Sequence, residues 1–249
     1  MTTSTEAVDA SGRRSGRQLP ALIRATHPRQ ALAIAVVVGL LVGLSRDNAA
    51  RDIAIAVAAV LVAQLIMGLV NDLLDVDVDK ASGSEDKPIA MGIVPAGNAS
   101  FAVAVLLLLV IPLSLQNGTS AGLFLLATLA VGYVHNRWLH RTVLSWVGWA
   151  ATFTMLAWFV TLGGWGHGAD GSAPYTWFAV LCGLLGICVH FLTSLPDLVV
   201  DNQAGTKNLP LRVALRTGAP RLMVVAIIAT VVVLAAIVVT TAQAGAIAS

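Results

Sequence analysis

Long stretches of the chain hold no Asp, Glu, Lys or Arg: 30–45, 53–71, 88–136, 142–169, 171–196 and 222–249. Several exceed the roughly 18–20 apolar residues that a membrane-spanning helix needs. The longest is broken by Gln116-Asn117-Gly118-Thr119, a turn signal at the right spacing to separate two antiparallel spans. Gly163-Gly164-Trp165-Gly166 opens another turn, closed by Pro174 with the interfacial aromatics Tyr175 and Trp177. The pattern predicts seven helices, at about 30–45, 53–72, 99–115, 120–136, 143–163, 174–196 and 221–242. Residues 1–20 are polar and rich in Ser, Thr and Arg, and predict a disordered tail rather than a cleaved signal. Residues 21–249 then make a single transmembrane domain.

Composition agrees with the pattern. Of 249 residues 57% are hydrophobic and 11% charged, against roughly 25% charged in a soluble domain. Fifteen basic and 13 acidic side chains cannot cover the surface of a soluble chain this size, so a lipid bilayer must be the solvent. The mean hydropathy of +0.83 says the same. A net charge of +2, with no basic stripe interleaved with aromatics, excludes nucleic-acid binding. Cys182 and Cys188 lie inside one apolar run and read as helix packing, not as a disulfide framework or a zinc site.

The charges also orient the chain. With the N-terminus inside, the inner segments carry Arg13, Arg14, Arg17, Arg24, Arg29, Lys80, Lys87, Arg137, Arg141, Lys207, Arg212, Arg216 and Arg221. The outer segments carry only Arg46 and Arg51. That imbalance places the N-terminus and the loops 73–98, 137–142 and 197–220 on the cytoplasmic side of the cell membrane.

Most of the acidic residues gather at two of those loops. Asn71, Asp72, Asp75, Asp77 and Asp79 end the second predicted span, and Asp197 and Asp201 end the sixth. If the helix continues, Asn71, Asp75 and Asp79 share a face at four-residue intervals, Asp72 lies beside them, and Asp77 points elsewhere. Carboxylates stacked at a membrane edge repel one another at high cost unless something neutralises them. A hard divalent cation is the natural remedy: Mg²⁺ takes one or two carboxylates and completes its shell with water and substrate phosphate. Two acidic clusters on separate helices therefore suggest metal ions clamping a diphosphate. Lys87, Arg137, Arg141 and Lys207, in the same loops, could neutralise that diphosphate as it leaves.

These residues resemble a known family. Asn71-Asp72-x-x-Asp75-x-x-x-Asp79 is similar to the first signature of the UbiA-type intramembrane prenyltransferases, and Asp197-x-x-x-Asp201 to their second. Asp86-Lys87-Pro88 through Val94 resembles the loop after the first motif, and Gly205 through Pro210 the stretch after the second. The resemblance runs from about residue 20 to 220. It implies an all-α, polytopic helical bundle around a central cavity that opens sideways to lipid and is capped by the cytoplasmic loops. It also implies Mg²⁺ as cofactor and an isoprenyl diphosphate as substrate. The C–O bond ionises and a small aromatic or other lipophilic acceptor captures the allylic cation. By the same resemblance Asn71, Asp72, Asp75, Asp79, Asp197 and Asp201 are metal and diphosphate ligands, with Asp72, Asp75, Asp197 and Asp201 catalytic. Lys87, Arg141 and Lys207 resemble the diphosphate-binding cations.

This chain departs from the family in three places. The family commonly has nine spans against seven here, which leaves a shortened chain or a bundle closed by dimerisation. The usual Tyr with a Lys four residues on reads here as Tyr133 with Arg137, or else His140 stands for the Lys. The Arg-Pro of many first spans reads His27-Pro28-Arg29. Tyr133, Asn136 and His190 remain as candidates for the substrate pocket, His190 lying seven residues before Asp197. Trp146, Trp149, Trp158 and Phe159 are packing residues or tunnel walls. A terpene cyclase, in which a double bond of the same substrate captures the cation, fits the motifs as well as a transferase does. A divalent-cation transporter would want its ionisable groups near mid-membrane rather than at one edge.

Overall fold

The computed structural model of the chain describes residues 18–45, 50–81, 83, 86–163, 171–244 and 247. The expected tail up to residue 17, and the expected turn beyond Gly163, lie outside them. Gln18–Pro20, assigned above to the tail, instead open a helix, α1 (Gln18–Ala25). Pro20 is tolerated there because the first-turn N–H groups have no partner inside a helix anyway.

Every one of the seven expected spans is a helix. α2 (Pro28–Ser45) follows α1 after a 50° bend at Thr26 and His27. α3 is Ala50–Leu74, continued past a bend at Asp75 by the short α4 (Val76–Ala81). α5 (Ala96–Leu115) and α6 (Thr119–Val134) form the hairpin that Gln116–Gly118 predicted. α6 runs into a π-helical segment, His135–Leu139, before α7 (Ser145–Leu162). α8 (Thr176–Ser194), the short α9 (Leu198–Gln203) and α10 (Leu209–Thr217), and α11 (Ala219–Ala244) complete the chain. Among the described residues five helices, α3, α5, α7, α8 and α11, are each long and apolar enough to cross a membrane, and the bent α1–α2 pair makes six. α6, with 16 residues, is shorter and gains five through the π segment.

The packing is that of a bundle solvated by lipid. α7 lies between α6 and α8, α3 between α2 and α5, and α11 against α8. The interior is built of small residues such as Ala35, Ala56, Ala59, Val60 and Ala63, with Leu125, Phe159 and Phe178 as the larger fill. Small side chains let helix backbones approach closely, which is how helices associate where lipid offers no hydrophobic drive. The large apolar residues face outward instead: Phe101, Leu108, Val180, Val225 and Val238 are all exposed.

Candidate active site

The acidic segment after α3 keeps helical spacing through its bend. The Asp75 amide donates to the Asn71 carbonyl at 3.0 Å and the Asp79 amide to the Asp75 carbonyl at 2.8 Å. Asn71, Asp75 and Asp79 therefore stay on one face and line a cavity of about 700 Å³, while Asp77 is exposed and turned away. The second acidic segment repeats the device, with the Asp201 amide donating to the Asp197 carbonyl at 2.8 Å. Both of its carboxylates line the same cavity. Asp201 Oδ2 accepts from Asn208 Nδ2 at 2.6 Å, and Asn208 Oδ1 caps α10 by accepting from the Leu211 amide.

Asp72 stands apart from the other acids. It is 1% exposed and lies behind the wall, where its Oδ1 accepts from Lys87 Nζ at 2.6 Å and meets His27 Nε2 at 3.0 Å. Oδ2 is buried with no hydrogen-bond partner among the described residues. Two packing arrangements bring those partners in. The loop bearing Lys87 is pinned by Ile89 and Val94, which are buried with Ala25, Leu69 and Ala99. The α1–α2 bend rests on α3 at Gly68, where any Cβ would sit 2.5 Å from the Thr26 carbonyl oxygen. That contact sets His27, at φ 52° in the left-handed region, one turn before Asp72.

Basic residues close the mouth. Arg141 Nη2 donates to Asp75 Oδ1 at 3.0 Å and Arg141 Nε to His140 Nε2 at 2.9 Å. The Lys207 amide donates to the Arg141 carbonyl at 3.0 Å, tying the two loops together. Lys87, Arg141, Lys207 and His140 all line the cavity. Burial works against the charge on Lys87, but Asp72, Asp79 and Asp75 outweigh it and hold the ammonium above its ordinary range. Desolvation, reinforced by neighbouring carboxylates, pushes the Asp79 and Asp197 carboxyls up in spite of Lys87. Burial, aided by Arg141, lowers the His140 pKa although Asp75 opposes it, so the ring sits neutral and accepts from the guanidinium.

Asn136 and His190 also reach the cavity. Ser194 Oγ donates to the His190 carbonyl at 2.8 Å, so its 3.4 Å contact with His190 Nδ1 puts the ring proton there. His190 Nε2 then accepts from Ser145 Oγ at 2.9 Å, which itself accepts from the Leu209 amide. Tyr133 and Arg137 do not reach it. They stack around exposed Trp138, Tyr133 edge-on at 6.2 Å and Arg137 over the ring at 5.8 Å. The π segment is the reason. Its hydrogen bond from the His140 amide to the His135 carbonyl spans five residues, which turns His135, Asn136 and His140 inward and leaves Arg137 outside. Of the two readings of this loop, the structure favours His140 and Arg141 as the residues at the cavity.

His27, His135 and Asn208 belong to the site although the motifs do not mark them. Asn208 had a signal, since an Asn followed by Leu-Pro is a helix start. His135 had none, because a helix of 3.6 residues per turn does not bring it inward together with His140.

Comparison with known proteins points the same way. The profile of the UbiA prenyltransferase family matches residues 31–248. Among solved structures, a UbiA homologue from Archaeoglobus fulgidus bound to GPP and Mg²⁺ superimposes with TM-score 0.69 at 17% identity, over 88% of this chain and 78% of that one. The same homologue bound to DMAPP and Mg²⁺ gives 0.67 at 18% identity, with the same coverage. A structure described for digeranylgeranylglyceryl phosphate synthase in membranes gives 0.59 at 16%, over 85% of this chain and 76% of that one. No curated protein sequence matches the chain significantly.

Proposed function

The chain belongs to the UbiA prenyltransferase family, and from that premise we propose that it transfers a prenyl group from an isoprenyl diphosphate to a small aromatic acceptor within the membrane, with Mg²⁺ as cofactor. The observation that carries this reading is the convergence of Asn71, Asp75 and Asp79 with Asp197 and Asp201 on one cavity whose mouth also holds Lys87, Arg141 and Lys207.

The donor set suits Mg²⁺. All of these ligands offer hard oxygens, the donors that Mg²⁺ takes, whereas Asp72 lies behind the wall and is held by Lys87 and His27. Among the described residues no three His, Cys, Asp or Glu side chains form a closed metal set. Mg²⁺ is ordinarily held by one or two carboxylates and completed by phosphate oxygens and water. Asn71, Asp75 and Asp79 would hold it on one side and Asp197 and Asp201 on the other, and it would neutralise charge on the leaving diphosphate.

The chain's own groups do the rest. Lys87, Arg141 and Lys207 draw the diphosphate oxygens to the mouth and stabilise the charge that develops as the C–O bond breaks, its electron pair leaving with the diphosphate. The allylic cation is left in the part of the cavity lined by Trp149 and Phe153, aromatic rings of the kind that stabilise a cation. A π pair of the acceptor ring forms the new bond, and the acceptor then loses a proton.

A second reading, cyclisation within the substrate, is favoured by one observation. His27 stands where many family members carry Arg, and it is bonded to Asp72 rather than left for an acceptor. Diphosphate release by the protein in lipid, with geranyl, farnesyl or geranylgeranyl diphosphate and Mg²⁺, separates the two. Turnover only when an aromatic acceptor is added supports transfer, and a cyclic product without any acceptor supports cyclisation. The excess of basic residues in loops 73–98, 137–142 and 197–220 supports a cytoplasmic site. A Lys207→Cys variant should then react with an impermeant maleimide only from the inner face.

A further inference from the structure

A second cavity lies apart from the one that the acidic motifs line. It is a groove of about 700 Å³ along α3, with α1 and α2 on one side and α5 on the other. Leu61, Leu65 and Leu69 recur at four-residue spacing on one face of α3, which gives the groove a length of about 12 Å at 1.5 Å per residue. It opens outward, since Leu32 of α2 and Phe101 of α5, which line it, are exposed. α1 crosses its inner end. The helix is tied to the first turn of α5, where Asn98 Nδ2 donates to Gln18 Oε1 at 3.3 Å, and its far end rests on α3 at Gly68.

The two ends of the groove differ in polarity. Among the described residues that line it only Thr26 and Asn98 are polar, and both stand at the α1 end. The Thr26 hydroxyl already donates to the Ile23 carbonyl at 2.7 Å. Arg24 and Arg29 are exposed and adjoin the lining residues Ile23 and Pro28 in the chain. No acidic residue stands between positions 10 and 46, so this end of the groove lies in a wholly basic segment. An apolar slot with positive charge at one end complements an amphiphile with an anionic head. A helix from a second copy would cover the slot without any use for charge at one end.

We propose that the groove holds an acyl chain of an anionic glycerophospholipid, with the headgroup at α1 beside Arg24 and Arg29. Basic side chains at the membrane surface attract anionic lipid, and each methylene buried in the slot adds to that attraction. The inference stands apart from the prenyl-transfer reading, but the bound lipid would bear on the same site. Leu22, Ala102 and Leu106 line the groove and also pack on the cluster that pins the loop of Lys87 through Ile89 and Val94. Thr26 lines both the groove and the central cavity, and His27 beside it meets Asp72. A chain in the groove therefore adds apolar contact to the packing that sets His27 and Lys87 on Asp72.

The test titrates phosphatidylglycerol and phosphatidylcholine with identical chains into delipidated protein in detergent, and counts bound lipid by native mass spectrometry. Phosphatidylglycerol should bind about fivefold tighter or more, the effect of one arginine near an anionic head. Arg24→Gln combined with Arg29→Gln should bring the two lipids level. Ala102→Phe puts a ring into the groove and should weaken both lipids about tenfold, as displacing roughly two methylenes would. Leu32→Trp does the same from the opposite wall and serves if the first variant does not fold. Leu108→Trp, on the exposed face of α5 outside the groove, should change nothing. Bound phosphatidylglycerol should also slow amide exchange in 18–28 and 86–95 in the wild type but not in the filled variants. Equal binding of the two lipids, or binding unchanged when the groove is filled, overturns the assignment. Exchange unaltered by bound lipid overturns the link to the packing around Asp72.

Discussion

The mouth and the floor of the cavity handle polarity in opposite ways. At the mouth, carboxylates crowd together: Asp75, bonded to Arg141, and Asp79 line one cavity with Asp197 and Asp201, and the Asp79 and Asp197 carboxyls are held above their usual range. At the floor, most polar atoms are satisfied by the protein itself, as in the relay from the Leu209 amide through Ser145 to His190. If the proposed function holds, a region that binds cations and a diphosphate keeps a concentration of charge that a region lined by apolar and mutually hydrogen-bonded groups does not need. The contrast predicts that mutations at the two ends will differ in the sign of their effect on stability as well as in the step they damage.

The largest effect should come from Asp197→Asn. It removes a carboxylate from the proposed metal clamp, so diphosphate release should fall by about 100-fold or more. Stability should move the other way. A carboxyl whose pKa is higher in the folded chain than in the unfolded one contributes stability when protonated, and that contribution is lost as pH rises through the folded value. At neutral pH the ionised group is therefore a burden that the neutral amide relieves. Melting in detergent should show a Tm equal to or above that of the wild type, and the gap should close as pH falls toward the ordinary carboxylate range. A lowered Tm would mean that Asp197 is structural, and the contrast between mouth and floor would fail there.

Lys87→Met should lose both activity and stability. Lys87 lines the mouth, but it is also the main counter-charge of buried Asp72. Its loss leaves His27 as the remaining partner on Oδ1, with Oδ2 still unpaired, at a cost of about 2 kcal/mol for a buried charge short of one donor. The companion variant Lys87→Met with Asp72→Asn should recover most of the Tm and none of the activity. Recovery of turnover in the double variant would remove Lys87 from the diphosphate site.

How far the sequence could be read follows the same division. The mouth was legible because its acidic residues recur at four-residue spacing, and local hydrogen bonds preserve that spacing through the bend at Asp75 and the turn at Asp197. The seven helical segments were legible because hydropathy acts over a whole span. The floor was legible only in part, through His190 as a pocket candidate and Trp149 as a packing residue or tunnel wall. His135, Gly148, Trp149 and His190 come from the π segment, α7 and α8, and nothing in any one segment marks them as neighbours. The same π segment misdirected the reading of Tyr133 and Arg137, since five residues per hydrogen bond breaks the period on which the helical face was drawn. α1 was hidden for another reason: eight residues are too few to register as a span, and the helix shows only where it packs against α3 beyond the bend at His27.

The smallest predicted effect is the sharpest check on that correction. Arg137 and Arg141 lie four residues apart in one loop, and on an ideal helix they would share a face. In the structure they do not. Arg141 holds Asp75 at 3.0 Å on the cavity side, while Arg137 covers the exposed Trp138 ring on the outside. Arg141→Ala should therefore cost about tenfold in turnover and raise the KM for the diphosphate substrate. Arg137→Ala should leave both within about twofold and lose no more than the roughly 0.5 kcal/mol of an exposed cation–π contact. Equal losses in the two variants would mean that the loop winds as an ordinary α-helix. That outcome would take His135 and His140 away from the cavity wall that they line in the structure.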